Sequence, residues 1–362
     1  MKLKKTSSIA TIVLFSALIL LGGVLTVLLP KKAVSESERR ALEELPALSI
    51  DALISGEYFN SLSDYAVDHF ALREGFRTMN TVVRVYALCQ PDSNGVFEEN
   101  GFLFEPVWPM DERAVLKNAE KLQGIADEYF PDKPYWFSVI PDKSDFAAAD
   151  CPRIDTDEVV SVVSGVVSGE YIDITDTLEL EDYYRTDTHW RQERIGDTAN
   201  ALLNAMGADS VGDSLAWNEI DSFKGVLWGR YALPISSESI FYGTSEVTER
   251  AVVKNTSHPD NTGIYAVDTE SLDKYDIFLS GASSIIEIEN PLAENGRQLV
   301  LFRDSFGSSI APLLLTSYEK ITMIDIRYIS SAILSEYVDF EAADDILFLY
   351  STSILNTGGI LK

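Results

Sequence analysis

The chain has 362 residues, of which 46% are hydrophobic, so it can bury the core of one large domain or two modest ones and is not disordered. Asp and Glu number 57 against 29 Lys and Arg, which gives a formal net charge of −28. Such a surface repels phosphate backbones and anionic lipid headgroups, so the composition argues against nucleic acid as a partner.

The N-terminus predicts a membrane anchor. Lys2, Lys4 and Lys5 precede an uncharged apolar run from Ile9 to Leu29, which at helical rise is long enough to cross a bilayer. A cleaved signal peptide is the alternative, because residues 33–35 loosely resemble a cleavage site. The run exceeds the ~7–15 apolar residues of a usual signal peptide, which favours the anchor. We expect a single-pass protein of the cell membrane with its main domain extracytoplasmic.

Three segments follow from the patterns along the chain. Residues 1–33 are the predicted cytoplasmic tip and transmembrane anchor. Residues 34–130 are a predicted stalk, helices and hairpin that pack on the main domain. Residues 131–362 form that main domain, with an insertion around residues 209–261, which are rich in Ser, Gly and Trp and have no strong period.

The predicted elements of the middle segment are mainly helical. Apolar residues recur at helical spacing from Ile50 to Leu88, which predicts two helices that meet near residues 73–75. Asn94-Gly95 and the apolar runs up to Phe104 predict a short hairpin. An amphipathic helix is predicted over Glu112 to Tyr129.

From Tyr135 onward, short apolar runs alternate with helical stretches, which predicts an α/β fold with a mainly parallel sheet. A helix is predicted from Arg191 to Met206, ending at Gly207. The candidate strands are 135–139, 171–174, 277–279, 299–302, 321–326 and 346–350.

Cysteine and histidine are scarce, which limits the possible sites. Cys89 and Cys151 are the two cysteines, and the sequence leaves open whether they pair. Three scattered histidines and two distant cysteines give no metal-ligand spacing, so we expect neither a metal nor another cofactor.

The most informative pattern is Asp187-Thr188-His189-Trp190 read together with Asp304-Ser305-Phe306. A serine hydroxyl becomes a good nucleophile when a histidine accepts its proton and a carboxylate orients that histidine. Asp187 and His189 are two residues apart, so in an extended segment both side chains leave the same face. Taken alone, Asp-x-His before a helix is more often a capped turn than a catalytic pair.

The segment around Ser305 favours the catalytic interpretation of Asp187 and His189. Ser305 follows the apolar run 299–302 and precedes Gly307, so a tight turn after a strand would expose its hydroxyl and backbone N–H. In open α/β sheets, ligands bind where loops leave the carboxyl ends of the strands. Ser305 occupies such a place.

These two blocks resemble the DHHW family of exported bacterial proteins and its relatives, the alginate O-acetyltransferase-like proteins with SGNH-hydrolase-type domains. Weaker segments extend the resemblance over most of the exported part: residues 68–73, 94–96, 101–104, 141–143 and 325–328. The resemblance implies an SGNH-hydrolase-like three-layer sandwich, with Ser305 as nucleophile, His189 as general base and Asp187 as orienting acid.

Two departures from the family pattern concern the oxyanion hole and the nucleophile turn. Relatives commonly have Gly-Asp-Ser where this chain has Arg303-Asp304-Ser305, and an arginine there could contact the substrate. SGNH enzymes use a glycine and an asparagine as oxyanion donors; here the candidate loop offers Gly281 and no obvious asparagine.

Three further residues have two interpretations each. Trp190 could stack on a sugar ring, although core packing is the commoner role of a buried aromatic. Arg327 and Tyr328 follow a predicted strand and could line the cleft, or Arg327 could only pair with Asp325.

The resemblance implies an O-acetyltransferase that modifies a cell-surface or exported polysaccharide. The partners it implies are a glycan acceptor and an integral membrane acyltransferase as acyl donor. Two alternatives remain: an acyl-ester hydrolase acting on carbohydrate with the same triad, and a non-catalytic scaffold that binds the cell wall or a glycan.

Overall fold

The computed structural model describes residues 2–148, 151–211, 215–267 and 271–362. The chain forms two compact units. The first contains the residues up to Asn94 together with Trp228–Pro234. The second contains Gly95–Leu227 and Ile235–Lys362. The hairpin and the helix over residues 112–129, which are predicted as part of the middle segment, belong to the second unit.

The first unit is mostly helical. Within the described residues, one helix is long and apolar enough to cross a membrane, over Ile9–Leu28, and none of the residues in its apolar window is buried. This helix fits a single-pass anchor or a signal sequence. The elements of this part are α1 (Lys2–Leu28), β1 (Val34–Ser35), β2 (Arg40–Ala41), α2 (Ile50–Ser55), α3 (Glu57–Asp68), α4 (Arg73–Val82) and a π-helical turn (Val83–Ala87).

The segment from Ile50 to Leu88 holds more helices than the two that its periodicity predicts. Ser49 caps α2 by accepting the Ala52 N–H at 3.2 Å. Gly56 ends this helix in the left-handed region, with φ +81°, which a residue without Cβ adopts freely. The second break falls between Asp68 and Arg73, just before the predicted one.

The second unit alternates strands and helices as the sequence predicts. Its strands are β3 (Phe97–Glu99), β4 (Phe102–Phe104), β5 (Trp136–Ile140), β6 (Glu170–Tyr171), β7 (Ala216–Phe223), β8 (Glu238–Thr244), β9 (Val252–Asn255), β10 (Ile285–Glu289), β11 (Gln298–Arg303), β12 (Lys320–Ile324) and β13 (Asp345–Ser351). The helices are α5 (Glu112–Tyr129), α6 (Thr156–Ser164), α7 (Gly196–Ala205), α8 (Val226–Tyr231, whose end belongs to the first unit), α9 (Glu246–Arg250), α10 (Gly307–Leu314) and α11 (Thr352–Leu355). Short 3₁₀ turns cover Lys143–Phe146, Thr175–Thr177, Leu180–Asp182, Gln192–Arg194, Lys274–Ile277, Leu315–Ser317 and Ser331–Glu336.

A seven-stranded sheet, ordered β6-β5-β13-β11-β12-β10-β9, forms the middle layer. Its first five strands are parallel, and β10 pairs antiparallel with both β12 and β9. Side chains of β11 alternate between two cores: Leu299 and Leu301 pack with α7 and α10, while Val300 and Phe302 pack with α5 and α6. Strands of a sheet that is covered on both faces in this way appear in the sequence as continuous apolar runs. The expected three-layer α/β fold is confirmed.

Three predicted elements of this unit are wrong in detail. The strand predicted over residues 171–174 ends at Tyr171, since β6 covers only Glu170–Tyr171. Residues 277–279 are not a strand: the preceding residues form a 3₁₀ turn that the Asp273 carboxylate caps at the Tyr275 N–H, and Leu279 is left-handed, with φ +58°. The strand of this region is β10. The helix predicted from Arg191 begins at Gly196, because Arg191 is extended and its N–H donates to the Asp182 carbonyl at 2.7 Å.

The predicted insertion contains the β7–β8 hairpin, α8, α9 and β9; its residues 212–214 lie outside the described residues. Cys89 and Cys151 are both free thiols.

Candidate active site

The turn that carries Ser305 lies at the carboxyl edge of the parallel strands, between the end of β11 and the start of α10. The buried Asp304 carboxylate holds this turn. It accepts the Phe306 N–H at 3.0 Å and the Ser351 N–H, at the end of the neighbouring strand β13, at 2.7 Å. The turn is thus tied to the sheet, and the partly exposed Ser305 has a fixed position.

His189 lies between Ser305 and Asp187. Its Nε2 is 2.7 Å from the Ser305 hydroxyl, and its Nδ1 is 2.6 Å from Asp187 Oδ1. Because the buried carboxylate accepts only, Nδ1 carries the proton and Nε2 is free to accept one from the serine. The structure therefore brings together, in one chain of hydrogen bonds, the three residues that the sequence analysis selected.

The Asp187 carboxylate is oriented by backbone groups. Oδ1 also accepts the His189 N–H at 3.2 Å, and Oδ2 accepts the Val226 N–H at 2.8 Å. Val226 belongs to the predicted insertion, which approaches closely at Gly225: a Cβ there would lie 2.2 Å from the Thr186 carbonyl oxygen and 2.4 Å from Asp187 Cβ. Only glycine allows this approach, which brings the Val226 N–H of the insertion to the Asp187 carboxylate.

Lys143 supports the same segment from inside the protein. Its side chain is buried, and Nζ donates to the carbonyl oxygens of Asp187 at 2.6 Å and Tyr184 at 2.9 Å. Burial lowers the pKa of the Lys143 ammonium to about 8. No motif in the sequence marks a role for Lys143, although residues 141–143 belong to the resemblance.

Tyr275 covers one face of the His189 ring. The two rings stack with centroids 4.0 Å apart and an angle of 14° between their planes. The Tyr275 hydroxyl donates to Ser309 Oγ at 2.8 Å, and burial raises the pKa of this phenol. Phe306 contacts the imidazole as well, with ring centroids 4.9 Å apart. These aromatic rings pack against the imidazole and so restrict its rotation. Tyr275 cannot be identified from the sequence, because no local motif marks it.

Two residues expected to bind substrate are fully buried. Trp190 has no exposed ring face, and its Nε1 donates to Ser309 Oγ at 2.8 Å, so it belongs to the core. Arg303 lies under the start of α10, where a Cβ on Gly307 would be 2.6 Å from Arg303 Cβ. Its guanidinium donates to the Asp304 carbonyl at 3.3 Å, and burial lowers its pKa. Arg303 therefore supports the turn from below instead of facing the cleft.

Gly281 is also engaged within its own loop. Its N–H donates to the Phe278 carbonyl at 3.3 Å, and its φ is +81°. A Cβ at this position would lie 2.3 Å from the Asp276 carboxylate. The structure thus explains the glycine by a turn and a close approach, and its N–H is already paired.

Arg327 and Tyr328 lie beyond the end of β12, at the same edge of the sheet as Ser305. Arg327 makes a two-bond contact with the buried Asp325 carboxylate, at 2.8 and 2.6 Å, and its guanidinium lies 5.4 Å from the centre of the exposed Tyr328 ring. The ion pair is therefore formed, and Tyr328 is the part of this group that faces solvent.

Acidic, histidine and cysteine side chains do not form a metal site in the part of the chain that the structure describes.

By sequence, the chain matches no protein-family model and no curated protein. By structure, it is similar to a DHHW family protein from Eubacterium siraeum, with 19% identity, a TM-score of 0.62 and coverage of 74% of this chain and 94% of that one. It is also similar to Bacillus cereus PatB1, with 17% identity, a TM-score of 0.58 and coverage of 74% and 98%. The structure of Bacillus cereus PatB1 with a sulfonyl adduct is similar as well, with 17% identity, a TM-score of 0.55 and coverage of 74% of this chain and 99% of that one. The chain therefore has the SGNH-like α/β fold that it shares with a DHHW family protein and PatB1.

Proposed function

We propose that this chain is an extracytoplasmic serine O-acyltransferase, anchored by α1, which acetylates hydroxyl groups of a cell-surface or exported polysaccharide. The observation that carries the proposal is the continuous chain of short contacts from the Asp187 carboxylate through His189 to the Ser305 hydroxyl. The three residues lie at the carboxyl edge of the sheet, where ligands of open α/β folds bind.

The first half of the proposed reaction forms an acyl-serine. Ser305 Oγ attacks the acyl carbonyl carbon while His189 Nε2 accepts the hydroxyl proton, and Asp187 stabilises the resulting imidazolium. The Ser305 backbone N–H is the proposed donor to the oxyanion of the tetrahedral intermediate. The bond to the leaving group then breaks, and the leaving group takes the proton from Nε2.

In the second half, a glycan hydroxyl gives its proton to His189 Nε2 and attacks the acyl-serine carbonyl. Ser305 Oγ leaves and recovers the proton, so the net change is transfer of one acyl group between two oxygen atoms. Water in place of the glycan would release the free acid, which is the hydrolase alternative. An integral membrane acyltransferase is the proposed acyl donor, since α1 would hold the protein at the same membrane.

The proposal is tested with the full chain, an activated acetyl ester and soluble polysaccharide as acceptor. We expect acetylated glycan with the wild type and with Ser308→Ala, and none with Ser305→Ala. Ser308 is a matched control because it is a buried serine three residues along the same segment. Equal activity of Ser305→Ala and the wild type would remove Ser305 from the mechanism.

Two further readouts separate the alternatives. Release of acetate without modified glycan would favour the hydrolase. A sulfonyl fluoride should add its sulfonyl group to Ser305 with loss of fluoride, which peptide mass spectrometry would detect; the sulfonyl adduct of the structurally similar PatB1 suggests this reagent. An unlabelled Ser305 would favour a non-catalytic scaffold.

A further inference from the structure

The corner between α3 and α4 lies against the last turns of α1. The Ala71 backbone N–H donates to Thr26 Oγ1 at 3.0 Å, and a Cβ on Gly22 would lie 3.9 Å from the Phe70 ring. At about 1.5 Å per residue, Gly22 is roughly 9 Å inside the end of the apolar helix at Leu28. The corner therefore reaches the depth of the membrane-crossing segment itself.

A stripe of exposed apolar side chains begins at this corner, and we call it the corner stripe: Phe70, Leu72, Phe76, Met79 and Val83. From Leu72 onward its members are three or four residues apart, so they lie on one face of α4 and its π-helical continuation. Leu72, at the tip, is 67% exposed and has φ +61°. A large apolar residue held outward in a left-handed conformation is unusual and points to a function for the corner.

The polar side chains of α4 form ion pairs and hydrogen bonds within the unit. Arg73 pairs with Glu38 at 2.7 Å, and Arg77 pairs with Glu74 at 3.1 Å. The buried Thr81 hydroxyl donates to the Tyr231 carbonyl at 2.8 Å. A helix on the surface of a soluble protein has the opposite arrangement, with its apolar face inward. From Leu72 onward, the corner stripe is thus an apolar face that no described residue of this unit covers.

We infer that the corner stripe lies in the bilayer that α1 crosses, with its side chains among the lipid acyl chains of the outer leaflet. This inference rests on the proposed role of α1 as an anchor. Interfacial helices bury their apolar face about 5–10 Å into the boundary between headgroups and acyl chains, which matches the depth that Gly22 sets. No second protein is required, because the contact with α1 already places the corner at that depth.

Backbone hydrogen bonding is consistent with this position. In the apolar part of a bilayer, backbone polar groups need partners within the protein. At the corner, the Ala71 N–H uses Thr26 Oγ1, the Arg73 N–H donates to the Phe70 carbonyl at 3.2 Å, and the Phe76 N–H donates to the Leu72 carbonyl at 3.0 Å. Since the chain is strongly acidic, we attribute the contact to apolar burial and not to anionic headgroups.

The test uses the full chain in vesicles of zwitterionic phosphatidylcholine, with Cys89→Ser and Cys151→Ser to remove the native thiols. A polarity-sensitive fluorophore is attached to single cysteines at Leu72→Cys or Phe76→Cys. We expect lipids with a nitroxide on the acyl chain to remove most of the fluorescence at both positions.

Two controls make the outcome unambiguous. Leu18→Cys lies within the apolar span and should be quenched, whereas Glu74→Cys lies on the polar side of the corner and should not. If Leu18 is quenched but Leu72 and Phe76 behave like Glu74, the inference is overturned and the anchor stands. If Leu18 is not quenched, the anchor and the inference both fall. If the fluorophore at Leu72→Cys reports an apolar environment only after a second membrane protein is added, the stripe binds a protein partner and the inference is overturned.

Discussion

The Asp187 carboxylate offers the sharpest single test of the proposed triad. It accepts three N–H groups: Oδ1 takes the His189 Nδ1–H at 2.6 Å and the His189 backbone N–H at 3.2 Å, and Oδ2 takes the Val226 N–H at 2.8 Å. Asp187→Asn keeps the shape of the side chain but turns one of its two oxygens into a donor. The new NH₂ group must therefore face at least one N–H donor.

The structure indicates which orientation the amide adopts. With its NH₂ toward Val226, it leaves that backbone N–H without an acceptor, at a cost of about 1–3 kcal/mol. With its NH₂ toward His189, only the longer 3.2 Å contact is lost, because Nδ1 can become an acceptor. The ring proton then lies on Nε2, which can no longer take the Ser305 proton. The corresponding change in a serine protease triad lowers kcat about 10⁴-fold, which is about 5 kcal/mol in the barrier.

The assay is the steady-state rate of acetyl-ester turnover, with thermal unfolding measured in parallel. We expect kcat of Asp187→Asn to fall about 10⁴-fold, as for that triad, while the protein remains folded. The exposed Asp260→Asn is a control with the same chemical change and should keep wild-type activity. If Asp187→Asn retains activity within about tenfold, or about 1.4 kcal/mol in the barrier, while Ser305→Ala is inactive, the carboxylate does not orient the base.

Three other variants test the support around the triad. Tyr275→Leu should lower kcat/KM several-fold, because aromatic stacking contributes about 0.5–1.5 kcal/mol; Tyr275→Phe keeps the ring and should stay near wild type, so equal losses in both would refute the stacking role. The pKa of Lys143 is about 8 in the folded protein, below the unfolded value of about 10.4. Between these two pH values the unfolded chain binds more protons than the folded protein, so the stability of the folded protein rises with pH. Unfolding by urea should show wild type gaining about 2 kcal/mol over Lys143→Met between pH 7.5 and 9.5, and parallel curves would contradict the burial of a charged lysine. Gly225→Ala places a methyl group against the Thr186 carbonyl and should destabilise the protein by about 1–3 kcal/mol and lower kcat, as thermal unfolding and the ester assay would show; an unaffected variant would mean that the insertion does not need this close approach.

Local pattern was sufficient for much of the fold. Four of the predicted strands are present within one or two residues of their ends, at β5, β11, β12 and β13, because a strand buried on both faces is a continuous apolar run bounded by turn residues. The strands at the β9–β10 edge of the sheet are harder to predict from the sequence. In β10, Glu287 and Glu289 alternate with isoleucines, and β9 has only two apolar residues, so neither strand is a continuous apolar run, whereas residues 277–279 are one. They pack instead around a 3₁₀ turn, with Ile277 and Phe278 in a separate apolar cluster.

The sequence by itself determined which side chains could form a nucleophile, a base and an orienting acid, since their chemistry and the turn after β11 are local properties. Tertiary structure alone decided what surrounds them. Three separate segments contact the triad residues, through Lys143, Tyr275 and Val226. No local spacing predicts a contact between residues so far apart in the chain. Burial also depends on the tertiary structure. Trp190 and Arg303 lie within two residues of catalytic candidates in the sequence, yet both side chains are buried in the protein. Side chains that are close along a chain can leave the backbone in different directions.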